Sequence, residues 1–154
     1  MASNWKSYNE LAWTEEWLAS PEDYRDETMV YINLIKKFSS IPVKTLLHLA
    51  SGAGGQDVIF KEHFTVTGVD LSKGMLDMAR ARHPDIEYNE GDMRNVRLNK
   101  LFDAVAIPDS IDYMITIDDL RSAVETAALH LKPGGVLLIS AKPEETYKDN
   151  NFAY

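Results

Sequence analysis

Two short stretches of this chain carry residue types at spacings that suit ligand chemistry. The run Ser51-Gly52-Ala53-Gly54-Gly55 follows the apolar segment Thr45–Ala50. Glycines at such a place permit a tight turn and a close approach of backbone to a ligand, and the N-terminus of a following helix offers unpaired N–H groups to an anion. Asp70 closes the next apolar, β-branched run, 18 residues after Gly52. A carboxylate there accepts two hydrogen bonds from a ribose diol. An ordinary strand-to-helix loop and a plain helix-start acid are the alternatives for each feature taken singly, and the two together are more specific than either. Further on, Gly91-Asp92-Met93-Arg94 and Pro108-Asp109-Ser110-Ile111-Asp112-Tyr113 follow apolar segments and supply carboxylates and a phenol.

These residues need a frame that gathers several segment ends in one place. Leu11, Trp13, Trp17 and Leu18 predict a helical stripe that ends at Ser20, with Pro21 suited to the first position of the next helix. Tyr24, Met29, Val30, Ile32, Leu34, Ile35 and Phe38 predict the inward side of that second helix, which stops before Pro42. From Val43 onward short apolar runs alternate with helices. Strands are expected at Thr45–Ala50, Thr65–Asp70, Ile86–Asn89, Phe102–Ile107 and Val136–Ser140. Helices are expected at Gln56–His63, at Lys73–Arg82 with Ser72 as its cap and Met75, Met78 and Ala79 inward, and after the cap Thr116. On that last helix Asp118 and Asp119 suit the positive end of the dipole, and Leu120, Val124, Ala127 and Leu131 fall on one side. Lys132-Pro133-Gly134-Gly135 is expected to break it. Such alternation predicts a doubly wound α/β protein with a mostly parallel, Rossmann-like sheet of about five strands behind an N-terminal helical segment. Ligands of such sheets lie beyond the carboxyl ends of the strands, where the strand order reverses.

Composition narrows the function. The 154 residues suit one domain, and 45% hydrophobic with 26% charged residues is ordinary for a globular chain. A formal charge of −8 argues against a phosphate-backbone binder. The chain has no cysteine, which excludes disulfides, Cys–zinc sites and thiol nucleophiles. No apolar run reaches the roughly 20 residues that cross a bilayer, and Met1–Glu10 lacks the order of an export signal. A cytoplasmic protein without nucleic-acid or membrane partners is the expectation. His63, His83 and His130 sit at helix ends or on a helix face, where surface roles are expected, and no metal-ligand spacing joins them.

The ligand is then a dinucleotide or S-adenosylmethionine. A dinucleotide site wants Gly-x-Gly-x-x-Gly, but Gly52-x-Gly54 is followed by Asp57, whose carboxylate is expected to face the pyrophosphate. The sequence therefore disfavours NAD. At this point the chain resembles the class I S-adenosylmethionine-dependent methyltransferases, from about Thr45 to Ser140. The likeness rests on Leu47-His48-Leu49-Ala50-Ser51-Gly52-Ala53-Gly54-Gly55, Val66-Thr67-Gly68-Val69-Asp70-Leu71-Ser72 with Met75-Leu76, and Gly91-Asp92-Met93-Arg94. Phe102-Asp103-Ala104-Val105, Asp109-Ser110-Ile111-Asp112-Tyr113 and Leu131-Lys132-Pro133-Gly134-Gly135 continue it. The Gly-Asp-Met-Arg and Asp-Ser-Ile-Asp-Tyr segments, with Tyr8-Asn9-Glu10-Leu11-Ala12, are most similar to the small-molecule branch that includes glycine/sarcosine and amino-sugar N-methyltransferases.

The resemblance implies strand order 3-2-1-4-5 and methyl transfer to a nitrogen or oxygen of a small molecule by in-line displacement. It implies a cofactor site in which Ala50, Ser51, Gly52 and Gly54 run under the methionine and ribose portions and Asp70 binds the ribose hydroxyls. Leu71 and Met75 would pack nearby, Asp92 and the Met93 N–H would meet the adenine, Pro108 would lie along the cofactor, and Tyr8 would close the methionine end. Asp109, Asp112 and Tyr113 are the acid–base or orienting candidates, with His48 more distant. The implied division is residues 1–42 as a helical lid, 43–141 as the cofactor-binding core and 142–154 as a polar tail. Two departures stand out. His48 occupies the place of the family's usual acid, which helps organise the charged methionine end. The chain also stops about 14 residues after Ser140, where family members add two more strands. An uncovered fifth strand makes a homodimer through that edge a candidate. A cofactor-binding module or fragment without catalysis is the alternative function.

Overall fold

In the computed structural model, residues 21–142 are described. A 3-10 turn, Pro21–Tyr24, leads into helix α1 (Arg25–Phe38). Then come β1 (Thr45–Leu49), α2 (Asp57–Phe60), β2 (Thr65–Asp70), α3 (Lys73–Arg82) and β3 (Glu87–Glu90). The chain continues through β4 (Phe102–Ile107), a 3-10 turn (Ile111–Tyr113), α4 (Ile117–Leu129) and β5 (Leu131–Ile139). The five strands form one parallel sheet in the order β3-β2-β1-β4-β5, as the sequence implied. Strand order reverses between β1 and β4, so their carboxyl ends open a crevice.

Side chains alternate across each strand, and both sheet faces are covered. Leu46 of β1 packs with Ile32 and Ile35 of α1 and with Phe60 and Leu76. Leu47 and Leu49 face the other way, onto Val105, Ile107 and the alanines Ala123 and Ala127 of α4. Small residues on α4 let its backbone approach the sheet, so its buried line is Ala123, Thr126 and Ala127. Leu120 and Val124 are only half-buried, and Leu131 has left the helix for β5. On α1 the buried line is Thr28, Tyr31, Ile32 and Ile35. Val30 and Phe38, expected inward, are 55% and 64% exposed because one helix stripe suffices to cover the sheet.

Helix caps follow the sequence. Ser72 accepts from the Met75 N–H at 3.2 Å and Thr116 from the Asp119 N–H at 3.1 Å. The predicted break at Lys132–Gly135 falls inside β5 instead, as a register shift opposite Phe102 and Ala104. Gly135 permits it, because a Cβ there would stand 2.6 Å from the Asp103 carbonyl oxygen. Among the described residues no further strand pairs the outer edge of β5, where Pro133 needs no ladder partner for its nitrogen and the Ser40 N–H donates to the Gly134 carbonyl at 2.9 Å.

Two histidines expected at the surface are buried. His130 bonds through Nδ1 to the Thr126 carbonyl at 2.7 Å and accepts the Leu98 N–H at 3.0 Å, which ties the end of α4 to the loop before β4. His83, the C-cap of α3, bonds to the Gly54 carbonyl at 2.9 Å. Both serve backbone groups that strand and helix ends leave unpaired.

At the amino end of the sheet Asp103 gathers the Lys44 N–H, the Thr45 N–H and hydroxyl, and the Lys132 ammonium, all at 2.8–3.0 Å. Burial works against its charge, but these donors outweigh it and hold the carboxyl well below the usual carboxylate range. A depressed acid stabilises the fold above its unfolded pKa, about 3.9, and that contribution is lost as pH falls from there toward the folded value. Asp103→Asn is expected to cost about 2 kcal/mol at pH 7. Thermal melts should show the gap to the parent chain narrowing below about pH 4; a gap independent of pH would contradict the assignment.

Candidate cofactor site

The chain leaves β1 through a left-handed turn. Ala50, Gly52 and Gly54 have φ of 56°, 55° and 76°. Backbone bonds pin this turn to β2: Ser51 N–H donates to the Val69 carbonyl at 3.0 Å, and Gly52 N–H to Asp70 Oδ2 at 2.8 Å. The Ser72 N–H holds the other Asp70 oxygen at 2.8 Å. Each carboxylate oxygen keeps a further lone pair, so Asp70 is oriented without being used up.

The two central glycines do different work. A Cβ at Gly52 would meet nothing within 4 Å, so its side of the turn is open. A Cβ at Gly54 would stand 2.7 Å from the Tyr88 hydroxyl and 2.9 Å from His83 Cδ2. Gly52 faces ligand space, whereas Gly54, expected under the cofactor, is required by packing from below. Asp57, expected to face a pyrophosphate, points the same inward way. It is fully buried, 2.7 Å from His48 Nδ1 and 2.7 Å from the Tyr88 hydroxyl. Aspartate at this position therefore carries no argument against a dinucleotide; the absence of a third glycine still does.

Beside the open face lies a cavity of about 160 Å³. Ala50, Ser51, Gly52, Pro108 and Asp109, all named from the resemblance, line it. Tyr24, Gln56 and Arg82 also line it, the last two not singled out for the site; their contributions depend on α1, α2 and α3 converging on the turn. His48 lines it too, as does Gly55, where a Cβ would stand 2.8 Å from the Tyr24 ring. The Ser51 hydroxyl is buried and makes no hydrogen bond among the described residues.

Asp109 also adopts a left-handed backbone, φ 52°, and accepts from the Ser140 hydroxyl at 3.0 Å. Ser140 lies 2.9 Å from the Tyr31 hydroxyl, which in turn meets Glu27 at 2.7 Å. Burial, the Glu27 contact and the Asp109 charge push the Tyr31 phenol up to about 12, so it remains a donor. Asp112 and Tyr113 do not line the cavity. Asp112 accepts the Lys142 N–H at 3.2 Å, and Tyr113 is half exposed on the 3-10 turn.

The remaining predicted residues lie along the sheet rim toward β3. Leu71 is exposed just beyond Asp70, whereas Met75 is buried against Ala53. Asp92 is gripped by Arg94, whose Nε lies 3.0 and 3.1 Å from its two oxygens and whose Nη1 reaches Asp119 at 2.9 Å. The Arg94 hydrogen bonds hold the Asp92 carboxyl below its ordinary range despite partial burial. Met93 is buried in the core, which leaves its backbone as the group able to meet a ligand. Tyr8 lies outside the described residues.

A parallel sheet of order 3-2-1-4-5, a glycine turn after β1 and an acid closing β2 make a Rossmann-like nucleoside-binding frame, and without a third glycine it fits the class I S-adenosylmethionine-dependent methyltransferases better than the dinucleotide enzymes. A family model described as a methyltransferase domain matches residues 46–135, and the chain belongs to that family. It is 37% identical over 126 residues to a dTDP-3-amino-3,4,6-trideoxy-alpha-D-glucopyranose N,N-dimethyltransferase of Streptomyces venezuelae, covering 80% of this chain and 52% of the relative. It is 33% identical to a dTDP-4-amino-2,3,4,6-tetradeoxy-D-glucose N,N-dimethyltransferase of Saccharopolyspora spinosa, covering 79% and 49%. Among solved structures, S-adenosylmethionine-bound CalS10, an amino pentose methyltransferase from Micromonospora echinaspora, superposes with a TM-score of 0.74 at 31% identity, over 78% of this chain and 51% of that one. The chain thus spans about half the length of the relatives it matches.

S-adenosylmethionine is the cofactor this membership assigns, and the residues present fit it: an open cradle at Gly52, a carboxylate with spare lone pairs at Asp70 and a cavity continuing from them. Gly54→Ala is expected to lower stability by about 2 kcal/mol or more, because the left-handed backbone and the Tyr88 contact both oppose a methyl group. Denaturant unfolding checks this, and a loss below half of that amount would show the turn to be loosely held.

Proposed function

We propose that the chain is the cofactor-binding core of a methyltransferase that methylates the amino group of a small molecule, an amino sugar being the acceptor class its relatives favour. The observation that carries this reading is Asp70, held by the Gly52 and Ser72 N–H groups beside a cavity that runs to Pro108 and Asp109. Bound S-adenosylmethionine supplies a methyl group already activated on sulfonium. The protein's share is then to hold, to align and to exclude water, and a strong base is not required.

In this reading Asp70 takes the ribose hydroxyls on its free lone pairs, and the Gly52 backbone lets the ligand lie flat on the turn. Asp92, fixed by Arg94, and the Met93 N–H meet the adenine. Asp109 accepts a hydrogen bond or proton from the acceptor amine, with Ser140 and Tyr31 fixing its carboxylate. Asp112 and Tyr113 serve the acceptor side from outside the cavity, and of residues 1–42 the part before α1, Tyr8 included, serves as its lid, since α1 itself covers one face of the sheet. The same reading makes the protein cytoplasmic, independent of nucleic acid and membrane, and able to pair through the outer edge of β5. No helix among the described residues is long and apolar enough to cross a membrane.

Calorimetry with S-adenosylhomocysteine tests the cofactor site. Asp70→Ala is expected to weaken binding by about 100-fold, the loss of charge-assisted bonds to a diol. An unchanged affinity would overturn the placement of the ribose. Asp109→Asn is expected to lower turnover of a dTDP-amino sugar at least tenfold while leaving S-adenosylhomocysteine affinity within about threefold; equal losses in both would make Asp109 a cofactor ligand instead.

A further inference from the structure

His48 stands at the cavity wall where an acid was expected, and the acid is one step behind it. Its side chain is 3% exposed. Nδ1 lies 2.7 Å from Asp57 Oδ1, and the Tyr88 hydroxyl lies 2.7 Å from Asp57 Oδ2. Burial and the Asp57 charge push the Tyr88 phenol far above its ordinary value, so its proton stays on oxygen and is donated to the carboxylate. A carboxylate accepts only, so the hydrogen between Asp57 and His48 sits on Nδ1. The ring is further held edge-on by Phe60, centroids 5.5 Å apart at 79°. Nε2 has no hydrogen-bond partner among the described residues, and His48 borders the cavity. In the neutral ring with its hydrogen on Nδ1, Nε2 carries a lone pair.

What reaches that lone pair follows from the direction of the site. Gly52 joins the cavity to Asp70, so a ligand whose ribose sits on Asp70 and whose chain crosses Gly52 puts its amino-acid end beside His48. That end carries an ammonium group. We propose that Asp57 and Tyr88, neither of which lines the cavity, act as positioning residues that lock His48 as the Nδ1–H tautomer, so that Nε2 accepts a hydrogen bond from the cofactor's α-ammonium. The negative charge that favours the cation is thereby kept buried and delivered through a neutral ring. This rests on the cofactor placement proposed above.

The test is a binding cycle by calorimetry with S-adenosylhomocysteine and its deaminated analogue. In the unaltered protein, removing the amine should weaken binding by about 10- to 100-fold, the range of one charge-assisted hydrogen bond. Asp57→Asn presents an amide that can donate to Nδ1 and turn the ring to the Nε2–H form, so the amine effect should shrink to about twofold while the deaminated analogue binds as before. Adding His48→Gln, whose amide oxygen reaches as far as Nε2, to Asp57→Asn should restore at least half of the effect on the logarithmic scale. Equal affinity for the two ligands in the unaltered protein overturns the proposal without any variant having to fold. So does an amine effect of the same size in folded Asp57→Asn, which would leave the trio a packing device. Failure of the unaltered protein to bind S-adenosylhomocysteine at all would instead refute the cofactor reading beneath it.

Discussion

The turn out of β1 is the constraint on which the site depends. Three of its five residues are left-handed, and one of them, Ala50, is not glycine. A left-handed alanine costs roughly 1–2 kcal/mol, so the turn persists only because its surroundings over-determine it. From β2 come the Val69 carbonyl and the Asp70 carboxylate; from beneath come His83 on the Gly54 carbonyl and the Tyr88 hydroxyl against Gly54. Loosening any of these would let the backbone relax toward ordinary φ and close the open face at Gly52.

The acids divide accordingly. Asp103 and Asp57 are buried with their oxygens engaged, the first joining strand ends at the amino end of the sheet and the second bracing the floor of the turn. Asp70 and Asp109 lie at the carboxyl ends of β2 and β4, each oriented by neighbours yet with acceptor capacity remaining. Asp92 is intermediate, held by Arg94 on both oxygens and coupled through it to the first turn of α4. Groups with spare acceptor capacity are thus concentrated at the carboxyl end of the sheet, as expected where parallel strands share a direction, while fully engaged acids brace that end from below and join the strands at the other.

Much of this was legible in the sequence for local reasons. Strand–helix alternation, the caps Ser72 and Thr116, the glycine turn and Asp70 are written in residue types and short spacings, and those are set by backbone conformation and hydrogen bonding within a few residues. The five-strand order followed from the family resemblance and holds in the structure, and Ala50, Gly52, Pro108 and Asp109, named from the same resemblance, line one cavity. The run Lys132–Gly135 misled because a proline and two glycines read as a break, whereas an edge strand tolerates both as a bulge.

What only the tertiary structure decided are contacts between residues far apart in sequence. Tyr24 and Arg82 meet at the cavity because α1 and α3 converge there, and the burial of His83 and His130 follows from unpaired backbone groups on neighbouring elements. Asp57, expected to face a pyrophosphate, proved to be the buried partner of His48 and Tyr88, nine and 31 residues away. A sequence states which side chains could ionise or donate. Which of them lose water and must find one another is set by how the elements pack, because the cost of burying an unpaired polar group exists only once the interior has formed.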